Sequence, residues 1–169
     1  VLVFAKVASA VCVTRLLRSV DAERVWLIIH TDQGPYLLGV WYRPPDPGEV
    51  NSILPLEEEW RQLSSSTMGT ILIGDMNVHH LQWLRFSTRN SVEGESQRKT
   101  GAQNGLRHLV REPTRGPNLL DLLITDIDDV GCKVALRWPI TRLSLLILNF
   151  ASPSQPRSVA QCGAMQLLT

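Results

Sequence analysis

Lysine is scarce in this chain of 169 residues: three stand against 14 arginines. The formal net charge is only +1, so no bulk positive field draws nucleic acid from a distance. Arginine forks still suit bidentate contact with phosphate, with codon bias as the plain alternative. Cysteine is scarce too. Cys12, Cys132 and Cys162 are odd in number and far apart, which fits neither a disulfide framework nor a zinc site. They read as free thiols in a reducing compartment, so the expected location is intracellular, nuclear or cytoplasmic, and not secreted. Leu143–Phe150 is apolar but far short of the about 20 residues that a membrane-spanning helix needs, and no membrane partner is expected. Val1 to Val13 is apolar and contains Ala8-Ser9-Ala10, which resembles a cleavage site. No basic region precedes it, so two short strands are the expected reading. The first residue is Val, not Met, and the expectation is a fragment or a processed chain. No internal repeat is found.

What the chain does contain supports one domain with a real core. Its hydrophobic share is 44% and its mean hydropathy −0.01, as in globular proteins. The central stretch is Thr70-Ile71-Leu72-Ile73-Gly74-Asp75-Met76-Asn77. Ile71–Ile73 reads as a buried strand. A carboxylate and a carboxamide follow at once, where open α/β sheets build their sites. Asp75 suits a Mg²⁺ ion or a water, because hard cations take oxygen ligands. Asn77 offers a neutral donor for a phosphate oxygen. The plainer reading of the same residues is an Asx turn closing a strand.

Around this centre, Val25–His30 and Tyr36–Tyr42 read as a hairpin turning at Asp32-Gln33-Gly34-Pro35. His30 sits at a strand end and reads as structural. Tyr42 ends its strand before Arg43-Pro44-Pro45, which cannot continue a ladder. Glu49–Ser65 reads as a helix, with Pro55 in its first turn and Glu57-Glu58-Glu59 on a solvated face. His79 and His80 follow the centre, then Trp83, which reads as packing. Phe86–Thr100 reads as a mobile surface loop. Gly101–Val110 reads as a short helix with His108 on or beside its exposed face. Arg111–Asn118 is a loop. Leu119–Thr125 is an apolar strand interrupted by Asp121, a carboxylate that is costly there unless paired.

In this order, Tyr42-Arg43-Pro44-Pro45, Gly74-Asp75-Met76-Asn77, Pro113-Thr114-Arg115 and Leu120-Asp121-Leu122 resemble the endonuclease/exonuclease/phosphatase superfamily. The nearer resemblance is to the apurinic/apyrimidinic-type endonuclease domain of non-LTR (LINE-like) retrotransposons. It runs from about Val25 to about Ile140. The resemblance implies an α/β fold of two packed mixed β-sheets flanked by helices, a four-layer sandwich, incomplete at the N-terminus. It spans residues 1–150, with 151–169 as a polar tail, disordered or loosely docked. It implies Mg²⁺ (or Mn²⁺) as cofactor, DNA as partner, a monomer, and a reverse transcriptase domain in the full-length element. The implied reaction nicks DNA and leaves a 3′-hydroxyl that primes reverse transcription. Asp75, Asn77, Tyr42 and Asp121 would be the catalytic residues, with Asp75 also touching metal. Asp121 would orient a histidine. His80 would support the loop. Thr114, Arg115 and Arg43 would contact DNA phosphates.

The chain departs from that family at two places. The upstream metal-binding Glu has no counterpart. The closing Ser-Asp-His is replaced by Ile140-Thr141-Arg142-Leu143-Ser144, and no histidine follows His108. Arginine cannot exchange a proton near neutral pH. The expectation is therefore impaired hydrolysis of DNA phosphodiesters, with a catalytically inactive, weakly DNA-binding retroelement fragment as the alternative. A phosphatase or sphingomyelinase relative is a third, less favoured reading. An exposed sheet edge also leads to an expectation of poor solubility.

Overall fold

The structure is a computed structural model that describes residues 2–5, 12–20, 22–31, 33–128, 130–137, 144–150 and 165–168. Positions 138–143, which hold most of the stretch replacing the Ser-Asp-His triplet, lie outside them. The chain forms an α/β sandwich. A six-stranded mixed sheet holds β2 (Cys12–Arg18), β3 (Glu23–Thr31), β4 (Gly34–Tyr42), β5 (Thr70–Asp75), β7 (Asp121–Thr125) and β6 (Arg107–His108), in that spatial order. A four-stranded antiparallel sheet holds β1 (Leu2–Ala5), β10 (Met165–Leu168), β9 (Ser144–Phe150) and β8 (Val130–Arg137). Four residues of the expected polar tail thus form a strand.

The hairpin predicted from the turn residues is present: β3 and β4 pair from Glu23↔Tyr42 to Thr31↔Gly34. The chain then crosses through α1 (Leu54–Ser64) and returns as β5, parallel to β4. All six residues of β5 are buried, as its continuous apolar run requires at the centre of a covered sheet. β7 pairs with β5 antiparallel. The core gathers Trp26, Leu37, Trp41, Ile71, Leu72, Ile73, Leu122 and Leu123, and β8 adds Val130 and Cys132. β2 is an edge, and Val13, Leu16 and Leu17 are exposed on it.

Helix α1 begins with Pro55 in its first turn, as expected. It is tied to the sheet at two points. Trp60 Nε1 donates to Thr70 Oγ1 at 2.9 Å. Glu59 Oε2 accepts from Ser19 Oγ at 2.7 Å, Arg24 Nε at 2.8 Å and Trp26 Nε1 at 2.7 Å. Glu59 therefore leaves the solvated acidic run. Glu57 and Glu58 stay in it, each paired with Arg61.

Two expectations between residues 86 and 110 are corrected. The segment expected as a mobile loop contains α2 (Val92–Gln103), capped by Ser91 Oγ, which accepts from Gly94 N at 3.1 Å. The helix expected at Gly101–Val110 is instead the end of α2, a turn, and the two-residue strand β6. The buried side of α2 is Glu93, Gly94, Gln97 and Gly101, so no apolar stripe marked it.

Candidate active site

The register of the central strands sets the site. Asp75 is level with Tyr42 on β4 and with Asp121 on β7. Three residues singled out in the sequence therefore lie abreast on adjacent strands. Gly74 makes this possible. Its φ is +151°, and a Cβ there would lie 1.7 Å from the carbonyl oxygen of Trp41. Only glycine lets β5 approach β4 this closely before turning out.

After Asp75 the chain turns sharply. Asn77 has φ 46°, in the left-handed region that Asn tolerates. Its backbone N–H lies near enough to the Asp75 carboxylate to favour the charged form. Its side-chain Nδ2 donates to the carbonyl of Arg43 at 2.8 Å. The Arg43 N–H in turn donates to the carbonyl of Asp75 at 2.8 Å. The turn and the site are one structure.

Asp75 is 3% exposed and Asp121 2%. Arg115 NH2 donates to Asp75 Oδ2 at 2.5 Å. Among the described residues, Oδ1 of Asp75 and Oδ1 of Asp121 have no hydrogen-bond partner. Burial raises the Asp75 carboxyl above its ordinary range; Arg115 opposes the rise and Asp121 adds to it. Two facing carboxylates with orphaned oxygens are costly unless a cation or a proton joins them. Among the described residues, no group of three or more His, Cys, Asp and Glu side chains gathers as a metal site. Mg²⁺, however, commonly uses one or two carboxylates and takes its remaining ligands from waters and substrate phosphate. The two orphaned oxygens fit that kind of ion.

Thr114 is placed differently from the expected phosphate contact. Its Oγ1 accepts from the backbone N–H groups of Leu120 and Asp121 at 3.1 and 3.0 Å, which fixes the start of β7. Arg115 stands beside Asp75 with its side chain 32% exposed, within reach of a ligand. Arg43 corrects the expectation. It is 1% exposed, and its NH2 donates to the carbonyls of Asp46 and Glu49 at 3.0 and 2.5 Å. Its guanidinium also lies 3.5 Å from the Glu49 carboxylate and 3.8 Å from that of Glu93. Buried and committed, it shapes the loop under Asn77. Tyr42 is 37% exposed and lines a cleft of about 590 Å³ with Arg18, Pro44 and Asp46.

His80 is buried. Its Nε2 lies 2.8 Å from Glu95 Oε2, and its Nδ1 accepts from the backbone N–H groups of Gln82 and Trp83. These bonds hold the turn that follows Asn77. His108 corrects its expectation: it is buried, with its ring edge-on to Trp83 at 5.8 Å. The sequence missed Arg24. This fully buried side chain bonds Glu59 and the carbonyl of Ser52. It also lies over the Trp41 ring at 4.6 Å. No pattern marked it: Arg24 follows Glu23 at the start of β3, where charged residues are ordinary.

No protein-family model matches the sequence, and no curated protein matches it. Solved structures do. The endonuclease domain of TRAS1, a telomere-specific non-LTR retrotransposon, aligns with a TM-score of 0.67 at 19% identity, over 83% of this chain and 67% of that one. The human Nocturnin catalytic domain with bound sulfate aligns with a TM-score of 0.52 at 12% identity, over 99% of this chain and 60% of that one. Among the described residues, no helix is long and apolar enough to cross a membrane.

Proposed function

We propose that this chain, which has the endonuclease/exonuclease/phosphatase-type fold, hydrolyses DNA phosphodiesters at the Tyr42–Asp75–Asp121 row. The observation that carries this reading is the row itself: a phenol and two buried carboxylates abreast on three adjacent strands, with one oxygen of each carboxylate unpartnered among the described residues.

Asp75 orients the attacking water and takes its proton. Its raised carboxyl favours that task, because a base works best when its affinity for protons approaches the ambient pH. Tyr42 donates its hydroxyl to a phosphate oxygen. Asn77 donates one amide N–H to the carbonyl of Arg43, and its second N–H would donate to a phosphate oxygen. Arg115 opposes the rise that burial drives in the Asp75 carboxyl, and its remaining guanidinium donors can meet the developing charge on the phosphate. Asp75 and Asp121 would hold the divalent ion, Mg²⁺ or Mn²⁺, which when bound polarises a phosphoryl oxygen.

Turnover is slow in this reading. His80, the histidine beside the centre, is committed to Glu95 and to backbone donors. Proton transfer by a positioned side chain is worth about 10²–10⁴-fold, and the leaving oxygen has no such donor in this scheme. The second reading, an inactive fold that binds DNA weakly, is favoured by one observation: no histidine follows His108 in the sequence, so no imidazole stands in for that of the closing triplet.

The test is nicking of supercoiled plasmid by the purified chain with Mg²⁺, run beside an EDTA control and Asp75→Ala. Slow nicking that needs both the metal and Asp75 is expected. Equal nicking by Asp75→Ala would assign the activity to a contaminant or another site. No nicking at all would favour the inactive reading.

A further inference from the structure

A second cleft lies at the far edge of the six-stranded sheet, away from Tyr42. Its volume is about 410 Å³, and its walls include Gln82, Trp83, Arg98, Arg107, His108 and Arg111. Asp121 is three residues before Ile124 on β7, and Ile124 pairs with His108. That places the cleft about 10 Å along the strand from the candidate centre, at about 3.3 Å per residue.

His108 is the unusual wall. It is 4% exposed, and among the described residues neither ring nitrogen has a hydrogen-bond partner. Buried polar groups are normally bonded, and an exception calls for an explanation. Burial, with the Arg111 charge adding to it, pushes its pKa down to about 3, so the ring is neutral at physiological pH. A neutral imidazole offers one N–H donor and one acceptor. A ligand in the cleft can meet one of these two diverging nitrogens with a matching acceptor or donor, and the edge of a nucleobase carries both kinds. Trp83, edge-on to His108 at 5.8 Å and part-exposed, supplies an aromatic surface. The charges complete the pattern. Arg98 is held by Glu95 at 2.9 Å and Arg107 by Asp128 at 3.0 Å. Arg111 is exposed and, among the described residues, has no ion pair.

We propose that this cleft is a nucleotide subsite, in which a base lies against Trp83 and bonds His108 while its phosphate meets Arg111. It rests on the reading of the chain as a DNA-directed enzyme and extends it: a single-stranded nucleotide of the substrate would be held about 10 Å from the row that cuts it. Contacts of this kind tolerate any base, because every base has a flat face.

The experiment follows the imidazole nitrogen resonances of His108 in the ¹⁵N-labelled chain during titration with dAMP, deoxyadenosine and inorganic phosphate. Because it reads binding, it gives an answer even if the chain cuts nothing. Saturable shifts of both nitrogens with dAMP, weaker binding of deoxyadenosine and no shift with phosphate alone are expected. Arg111→Glu should weaken dAMP about tenfold or more at an unchanged unfolding midpoint, and His108→Leu, which has no such resonances and is read by titration calorimetry, should lose the preference for dAMP over phosphate. Asp75→Ala should bind dAMP like the parent. The proposal is overturned if dAMP leaves the His108 nitrogens unmoved, if phosphate moves them equally, or if Arg111→Glu binds dAMP as tightly as the parent.

Discussion

Glu59→Gln is the substitution whose effect can be worked most fully from the structure. Glu59 Oε2 is the acceptor for Ser19, Arg24 and Trp26 at once, and Arg24 is fully buried. Glutamine keeps the shape and removes the charge. The Arg24 guanidinium is then a buried cation without a counter-charge, in a protein whose total stability should be about 5–15 kcal/mol. Breaking a buried pair by neutralising one partner costs about 3–5 kcal/mol. For a domain of this size that lowers Tm by about 6–20 °C. The loss should also depend on pH. Burial pushes the Glu59 carboxyl up, but the bonds from Arg24, Trp26 and Ser19 outweigh it and hold it below its ordinary value of 4.5. A depressed carboxylate contributes stability above that ordinary value and loses it as pH falls through the folded value. Calorimetric melts at pH 7 should therefore separate the two proteins, and the gap should narrow as pH falls below 4.5 and through the lower folded value. A Glu59→Gln protein melting within about 2 °C of the parent at pH 7 would refute the reasoning, since it would put the pair below about 1 kcal/mol. The effect should also reach the site, because Arg24 lies over Trp41, the neighbour of Tyr42.

Gly74→Ala should be among the most damaging changes in the chain, about 4 kcal/mol or more, because its Cβ would strike the Trp41 carbonyl at 1.7 Å; a urea midpoint near that of the parent would contradict the close strand pairing. Arg115→Ala should raise the Asp75 carboxyl further, since Arg115 opposes the rise that burial drives. A raised carboxyl favours the fold below its unfolded value and costs stability as pH rises through the folded value. The variant should accordingly lose about 1–3 kcal/mol at pH 7 and less at pH 4, and equal losses in denaturant titrations at the two pH values would contradict it. His108→Leu should flatten the acid limb of the stability curve. The folded ring resists protonation down to about 3, so the parent loses stability as pH falls below the ordinary histidine value, whereas leucine has nothing to protonate. A parallel acid limb in the variant would contradict the burial of His108.

The fold and the heart of the site were legible where the sequence carried strong periodicity or turn chemistry. The apolar run before Asp75, the turn residues Asp32-Gln33-Gly34-Pro35 between two apolar runs and the apolar strand broken by Asp121 each predicted an element that is present, although Gly34 and Pro35 themselves open β4. The same runs placed Tyr42 at a strand end and Asp75 just past one, but put Asp121 inside a strand, whereas it is the first residue of β7; the register the three share depends on a parallel crossover that local pattern does not encode. Helix α2 was missed because its inner face is Glu93, Gly94, Gln97 and Gly101: glycine permits close packing, and the polar chains are held by partners such as Arg43 and Met76. Arg43 looked like a phosphate ligand because arginine commonly is one. Its burial comes from the carbonyls of the 44–49 loop, which no spacing rule reveals. Glu59 was lost in a run of three glutamates, and only the neighbouring strand shows which of them faces inward. His108 was assigned to a helix because the leucines around it mimic helical spacing, whereas the chain there is the short strand β6.

The central claim is that the Asp75 row is a phosphodiesterase centre weakened by the loss of the closing triplet. The most direct measurement is the Mg²⁺-dependent nicking rate of the chain as it stands, set beside Arg142→Asp/Leu143→His and the same pair combined with Asp75→Ala. The account predicts slow nicking by the parent, a rise of about 10²-fold or more in the double variant, and none once Asp75 is removed. Nicking that survives Asp75→Ala, or a double variant no faster than the parent, would contradict it.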